Sequence, residues 1–270
     1  MIPETIVNLN LPYSDKGYKK VRVFVPEHPE GETLPVIYMT DGQNLFEDTS
    51  VQFGCWYTRE AVRAEQEASG NSAIIVGIHN DESPLQRTGE LMPQSIGSIA
   101  FPDEIPEEAR KMIVPTGEVF DDFVINTVMP AVESQFPVKK GRENTAFCGS
   151  SSGGLQSFFT VMSHPDLFSF GGCFSPVFLV YYPNEFESWL RSIIKYDKPF
   201  LYLYAGGTPG QEEALSGCTQ AAYGILSSCY PKELLKLVIK PDQPHSESAW
   251  AAEFKDFLHL FLNKRNRQMR

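Results

Sequence analysis

Along this chain of 270 residues, short apolar runs rich in β-branched residues alternate with longer stretches whose apolar positions recur at helical spacing. The runs at 5–9, 21–25, 36–39, 73–78, 145–148, 170–174, 200–204 and 234–239 read as eight strands. Helical periodicity predicts helices over 56–67, 118–135, 154–162, 185–194, 212–228 and 247–262. Strands that alternate with helices in this way predict an α/β domain built on a mostly parallel sheet. No helix separates the first two strands, so they are expected to open the sheet as an antiparallel pair. The last helix has Ser246 as its N-cap and Trp250, Phe254, Phe257 and Phe261 along one face, which is suited to covering the sheet. Residues 80–115 are polar, contain proline and are too long for an ordinary connection, which predicts a functional loop or small lid beside a site. Residues 263–270 read as a polar, disordered tail.

Composition narrows this picture. With 42% hydrophobic residues the chain can bury one sizeable core, and residues 1–270 read as a single domain. A formal net charge of −11 disfavours non-specific attraction to nucleic acid or to an anionic membrane surface. No run approaches the roughly 18 apolar residues of a membrane span. The first eleven residues lack a basic segment followed by a long apolar one. Five cysteines form no C-x-x-C pair and read as thiols in a reducing compartment. The expectation is therefore a cytoplasmic protein.

Candidate chemistry begins at Cys148-Gly149-Ser150-Ser151-Ser152-Gly153-Gly154, which follows an apolar strand and precedes a helix with Leu155, Phe158, Phe159 and Met162 on its repeat. Gly-x-Ser-x-Gly in that setting reads as a nucleophile elbow, a tight strand-to-helix turn that exposes the middle serine. Of the three serines, only Ser151 has glycine two positions away on both sides.

A serine hydroxyl needs a general base, and histidine is best suited near neutral pH. Chain order in serine hydrolases of this fold disfavours His28 and His79. His164 sits at a helix end, and His259 lies inside the last helix. His245 follows the last strand in a loop and precedes the last helix, as the base should. The acid is expected after the strand at 200–204, where Glu212 is the first candidate and Glu213 the alternative, with Asp242 behind both. Oxyanion donors are expected from the N–H of Ser152 and of Gln43, the latter in the Asp41-Gly42-Gln43 turn after the third strand.

These residues together carry a family resemblance. The segments 38–46 (YMTDGQNLF), 77–80 (GIHN), 149–154 (GSSSGG), 174–176 (FSP) and 245–250 (HSESAW), with Arg87 and Glu90, resemble the esterase family that includes enterochelin-esterase-like, feruloyl-esterase-like and S-formylglutathione-hydrolase-like enzymes. The likeness runs from about Val21 to Leu262. It implies an α/β-hydrolase fold of about eight strands and serine-dependent ester hydrolysis through Ser151 and His245. Members often have histidine where this chain has Thr40, a difference that leaves the backbone donor intact.

Arg87 with Glu90 reads either as a binder of a substrate carboxylate or as an ion pair holding the long loop. Asp41, Trp56, Tyr181, Tyr182 and Trp250 are candidates for the substrate pocket, or for core and rim. No metal-ligand spacing and no phosphate loop is found, so no cofactor is expected. The expected partner is a small-molecule ester, and a homo-oligomer is left open. Acyl transfer to an alcohol is the neighbouring reading; a carbohydrate- or partner-binding pseudoenzyme is opposed by the complete serine and histidine set.

Overall fold

The computed structural model describes residues 1–14, 17–47, 54–103, 105–194 and 197–268, with side chains described as far as Asn263. Eight strands form one sheet: β1 (Thr5–Pro12), β2 (Tyr18–Val25), β3 (Val36–Met39), β4 (Ile74–Ile78), β5 (Thr145–Ser150), β6 (Phe170–Phe174), β7 (Phe200–Ala205) and β8 (Leu235–Ile239). Their order is β1-β2-β4-β3-β5-β6-β7-β8. The pairs β1–β2 and β2–β4 are antiparallel, and the remaining neighbours are parallel. This is the α/β-hydrolase architecture the sequence predicts, including its antiparallel start.

The central strands are apolar at nearly every position because helices cover both faces. Side chains alternate between two cores. Tyr38, Phe147, Cys173, Leu201 and Leu203 enter one core with α6 (Ser152–Ser163), α7 (Pro183–Ile193) and α8 (Gln211–Ser227). Ile37, Met39, Cys148, Phe174, Tyr202 and Tyr204 enter the other, beneath α1 (Thr58–Ser69) and α9 (Glu247–Gln268). On α9, Trp250, Phe254, Phe257 and Phe261 are all buried, and the Ser246 hydroxyl accepts the Ala249 N–H as an N-cap should. The helix runs on to Gln268, so the polar tail expected from residue 263 is helical over that stretch.

The expected helix over 118–135 is three pieces: α4 (Gly117–Phe123), a π-helical turn at Val124–Val128, and α5 (Met129–Gln135). Pro130 explains the break, since it has no N–H to donate into a regular ladder; the preceding Met129 N–H bonds instead to Val124. The segment expected as a loop at 80–115 carries two short helices, α2 (Pro84–Glu90) and α3 (Glu107–Met112). Pro84 starts α2 where a missing N–H does no harm.

Candidate active site

Register brings the site together. Ser150 of β5 pairs with Phe174 of β6, Phe174 with Tyr204 of β7, and Tyr204 with Val238 of β8. The segments leaving these strands therefore emerge side by side at one edge of the sheet.

Ser151 is the first residue beyond β5 and has φ 59 and ψ −124, a backbone conformation that non-glycine residues rarely adopt. Its N–H is held by the Phe174 carbonyl at 2.8 Å. A Cβ at Gly149 would overlap the Gly153 carbonyl and come within 2.6 Å of the Thr40 hydroxyl, and a Cβ at Gly153 would strike Thr40 as well. The two glycines are thus required by the closeness of the turn, and Thr40 fills the space against both. Ser150 and Ser152 are each 3% exposed, whereas Ser151 is half-buried and so is the reachable member of the trio. Cys148 is no rival nucleophile, because complete burial pushes its thiol well above the ordinary value.

His245 lies in the loop after β8, and its Nδ1 is 2.6 Å from Glu212 Oε2. Glu212 is in the first turn of α8, 2% exposed. Its other oxygen accepts from the Ser175 hydroxyl at 2.6 Å and from the Gly206 N–H at 2.5 Å. Burial pushes the Glu212 carboxyl up, and the hydrogen bonds from His245, Ser175 and Gly206 outweigh it, so the group is held below the ordinary glutamate value. Gly206 is needed here because a Cβ would overlap the Gln243 carbonyl of the histidine loop and approach Glu212. Glu213 and Asp242 are exposed, and neither meets His245. Among the described residues the Ser151 hydroxyl and the His245 ring are not hydrogen-bonded to each other, and such contacts are commonly long until substrate is bound.

Ser175, which from the sequence alone is only part of the 174–176 motif, holds the Glu212 carboxylate in place. It is fully buried with φ 44, accepts the Trp250 indole N–H at 3.0 Å and donates to Glu212. Trp250 also packs edge-to-face on His245, with ring centroids 4.8 Å apart. Trp56 and Trp250 are 2% and 3% exposed, so both are core residues with their rings tilted together; Tyr181 is buried too, and Tyr182 is exposed.

The expected oxyanion turn is a short 3-10 turn, Gly42–Asn44, entered through Asp41 at φ 56. The Asp41 N–H goes to Asn80 Oδ1 at 2.8 Å and the Asn44 N–H to the Asp41 carbonyl, while among the described residues the Gln43 N–H makes no hydrogen bond. Ser152 opens α6, so its N–H is one of the helix's unpaired donors. Arg87 does not pair with Glu90. It grips the Asp41 carboxylate through two nitrogens at 2.5 and 2.6 Å and reaches the Ser150 carbonyl at 3.3 Å. Glu90 instead meets Lys19 at 2.6 Å and Asn80 at 2.8 Å. Among the described residues there is no cluster that could hold a metal ion and no helix long and apolar enough to cross a membrane.

Comparison with known proteins gives the family and the fold. A family model described as Putative esterase matches residues 16–192, well over half of the chain. An uncharacterized protein, YbbA of Bacillus subtilis, is 20% identical over 92% of this chain and 94% of its own length. The siderophore hydrolase EstA from Aspergillus nidulans superposes with a TM-score of 0.72 at 19% identity, covering 94% of each chain. An IroE-like serine hydrolase from Shewanella oneidensis gives 0.70 at 19% identity, covering 95% of this chain and 80% of that one. A ferulic acid esterase of Anaeromyces mucronatus, solved with ferulic acid, gives 0.63 at 21% identity, covering 96% and 91%. With the fold of these structures and the family model spanning its elbow, the chain belongs to the esterase family and is an ester hydrolase of the α/β-hydrolase fold.

Proposed function

We propose that this protein hydrolyses a small-molecule carboxylic ester through an acyl-enzyme formed on Ser151. The observation that carries the mechanism is the bond from His245 Nδ1 to Glu212, because it leaves Nε2 as the nitrogen available to a serine. Ser151 Oγ attacks the acyl carbon as His245 Nε2 takes its proton. The tetrahedral oxyanion is held by the N–H groups of Ser152 and Gln43, each worth about 10²- to 10³-fold. His245 then returns the proton to the departing alkoxide, and the alcohol leaves. In the second half water attacks the acyl-enzyme, losing its proton to His245, and the acid is released as Ser151 recovers its hydrogen. Glu212 orients the imidazole and stabilises its charged form throughout. A reducing, cytoplasmic setting is part of this reading, since the five cysteines form no C-x-x-C pair. Siderophore and ferulate esters, named for the structural neighbours, are the first substrates to try.

The test is hydrolysis of p-nitrophenyl acetate and labelling by a fluorophosphonate. Ser151→Ala should abolish both, and Ser150→Ala should keep the label. Undiminished turnover in Ser151→Ala would sink the mechanism.

A further inference from the structure

The hydrolytic cycle makes no use of Glu247, yet this carboxylate is buried beside the site. It is the first residue of α9, two positions after His245, and is 8% exposed. Burial foremost, with Asp41 adding to it, raises its carboxyl above the ordinary value even though the Arg87 and His245 charges act the other way. A carboxylate at a helix start is favoured by the helix dipole, but that preference is met equally well in solvent. Here Glu247 Oε1 accepts the side-chain N–H of Asn44 at 3.2 Å, 203 positions away in the chain.

Asn44 closes the turn that contains Gln43. It is 6% exposed, and its main chain is also engaged: the N–H donates to Asp41, and the carbonyl accepts from the Trp56 N–H at 2.8 Å. On its other side the turn is fixed by Asp41, whose partner Arg87 also reaches the elbow at Ser150. The turn is thus tied to the elbow through Arg87 and to the start of α9, just after His245, by one hydrogen bond.

Resting on the ester-hydrolase reading, we infer that Asn44 and Glu247 form a clamp that sets the distance between the oxyanion turn and His245, which makes both positioning residues for the reaction. An oxyanion donor works only when it lies about 2.7–3.1 Å from the developing charge. A displacement of about 1 Å can cost on the order of 10²-fold in rate. The clamp acts on the transition state, so its loss appears in kcat and leaves KM nearly unmoved.

The experiment exchanges donor and acceptor. Asn44→Asp places two carboxylates face to face; adding Glu247→Gln restores one hydrogen bond with its direction reversed. With a p-nitrophenyl ester, Asn44→Asp should lower kcat by about 10- to 100-fold with KM within about 3-fold. The double variant should recover to within about 3-fold of wild type. Affinity for an arylboronic acid, which takes up a tetrahedral anionic form on the serine, should fall and recover in step with kcat. Melting curves on every variant separate misfolding from misplacement. A folded Asn44→Asp that keeps full kcat, or a folded double variant that stays as slow as the single one, overturns the clamp. Absence of Ser151-dependent turnover in the wild-type protein overturns the esterase reading itself, a different result on a different variant.

Discussion

Glu212 and His245 meet at 2.6 Å, and so do Asp121 and His164, yet the two pairs sit in unlike settings. Asp121 is on α4, and His164 caps the C-terminal end of α6; the Thr160 hydroxyl of α6 donates to the other Asp121 oxygen at 2.6 Å. That pair ties two helices together and suits the negative end of a helix dipole. The Glu212–His245 pair instead joins the first turn of α8 to the loop after β8, at the edge of the sheet where the elbow emerges. Its carboxylate is also anchored by a main-chain N–H and by Ser175, and it binds His245 through Nδ1, whereas Asp121 takes His164 through Nε2. A short histidine–carboxylate contact is therefore no signature of catalysis by itself. What sets apart the pair proposed to be catalytic is which ring nitrogen is occupied and what the neighbouring strands bring alongside.

The largest test of this contrast is His245→Ala, which should lower kcat/KM by about 10⁴- to 10⁶-fold, beside His164→Ala, which should stay within about 3-fold. Comparable losses would erase the distinction. Glu212→Gln should cost about 10²- to 10⁴-fold in kcat, while the exposed Glu213, changed to Gln, should be nearly silent in the same assay. On the structural side, Asp121→Asn should reduce stability by about 1–3 kcal/mol in denaturant titrations and leave kcat in place. A catalytic loss without a stability loss would exchange the roles assigned to the two pairs.

The smallest expected effect is in pH. Because the folded Glu212 carboxyl is held below its ordinary value, its ionised form stabilises the fold. That contribution is fully present above the unfolded value of about 4.3 and is lost as pH falls through the lower folded value. The melting-temperature advantage of wild type over Glu212→Gln should accordingly shrink below about pH 4; an advantage that widens there contradicts the direction.

Strands such as β3 and β5 were legible because residues buried on both faces leave unbroken apolar runs, and the elbow was legible because its glycines answer a steric demand that shows in the spelling. For the acid the sequence ranks Glu212 before Glu213 and Asp242 but does not decide among them. Glu212 lies inward and Glu213 outward on the first turn of α8, and the choice depends on how Gly206 lets the histidine loop approach. Arg87 reads beside Glu90, three residues away on the same short helix, as a carboxylate binder or an ion pair, whereas its partner Asp41 is reached only through the fold. Ser175, Asn44 and Glu247 act through contacts spanning 37 to 203 positions, which no local pattern announces.

Asp41, Ser151 and Ser175, which follow β3, β5 and β6, all carry positive φ. Each such backbone costs on the order of 1–3 kcal/mol, and glycine would relieve it at Ser151. Selection for robustness alone would thus draw substitutions to the edge where hydrolysis is proposed, as it would to Ser14 and Tyr57, which share the conformation elsewhere. With Ser151 as the proposed nucleophile, a variant library screened only for heat tolerance should enrich glycine at 151 and lose turnover, so engineering this scaffold calls for a selection that reads turnover from the first round.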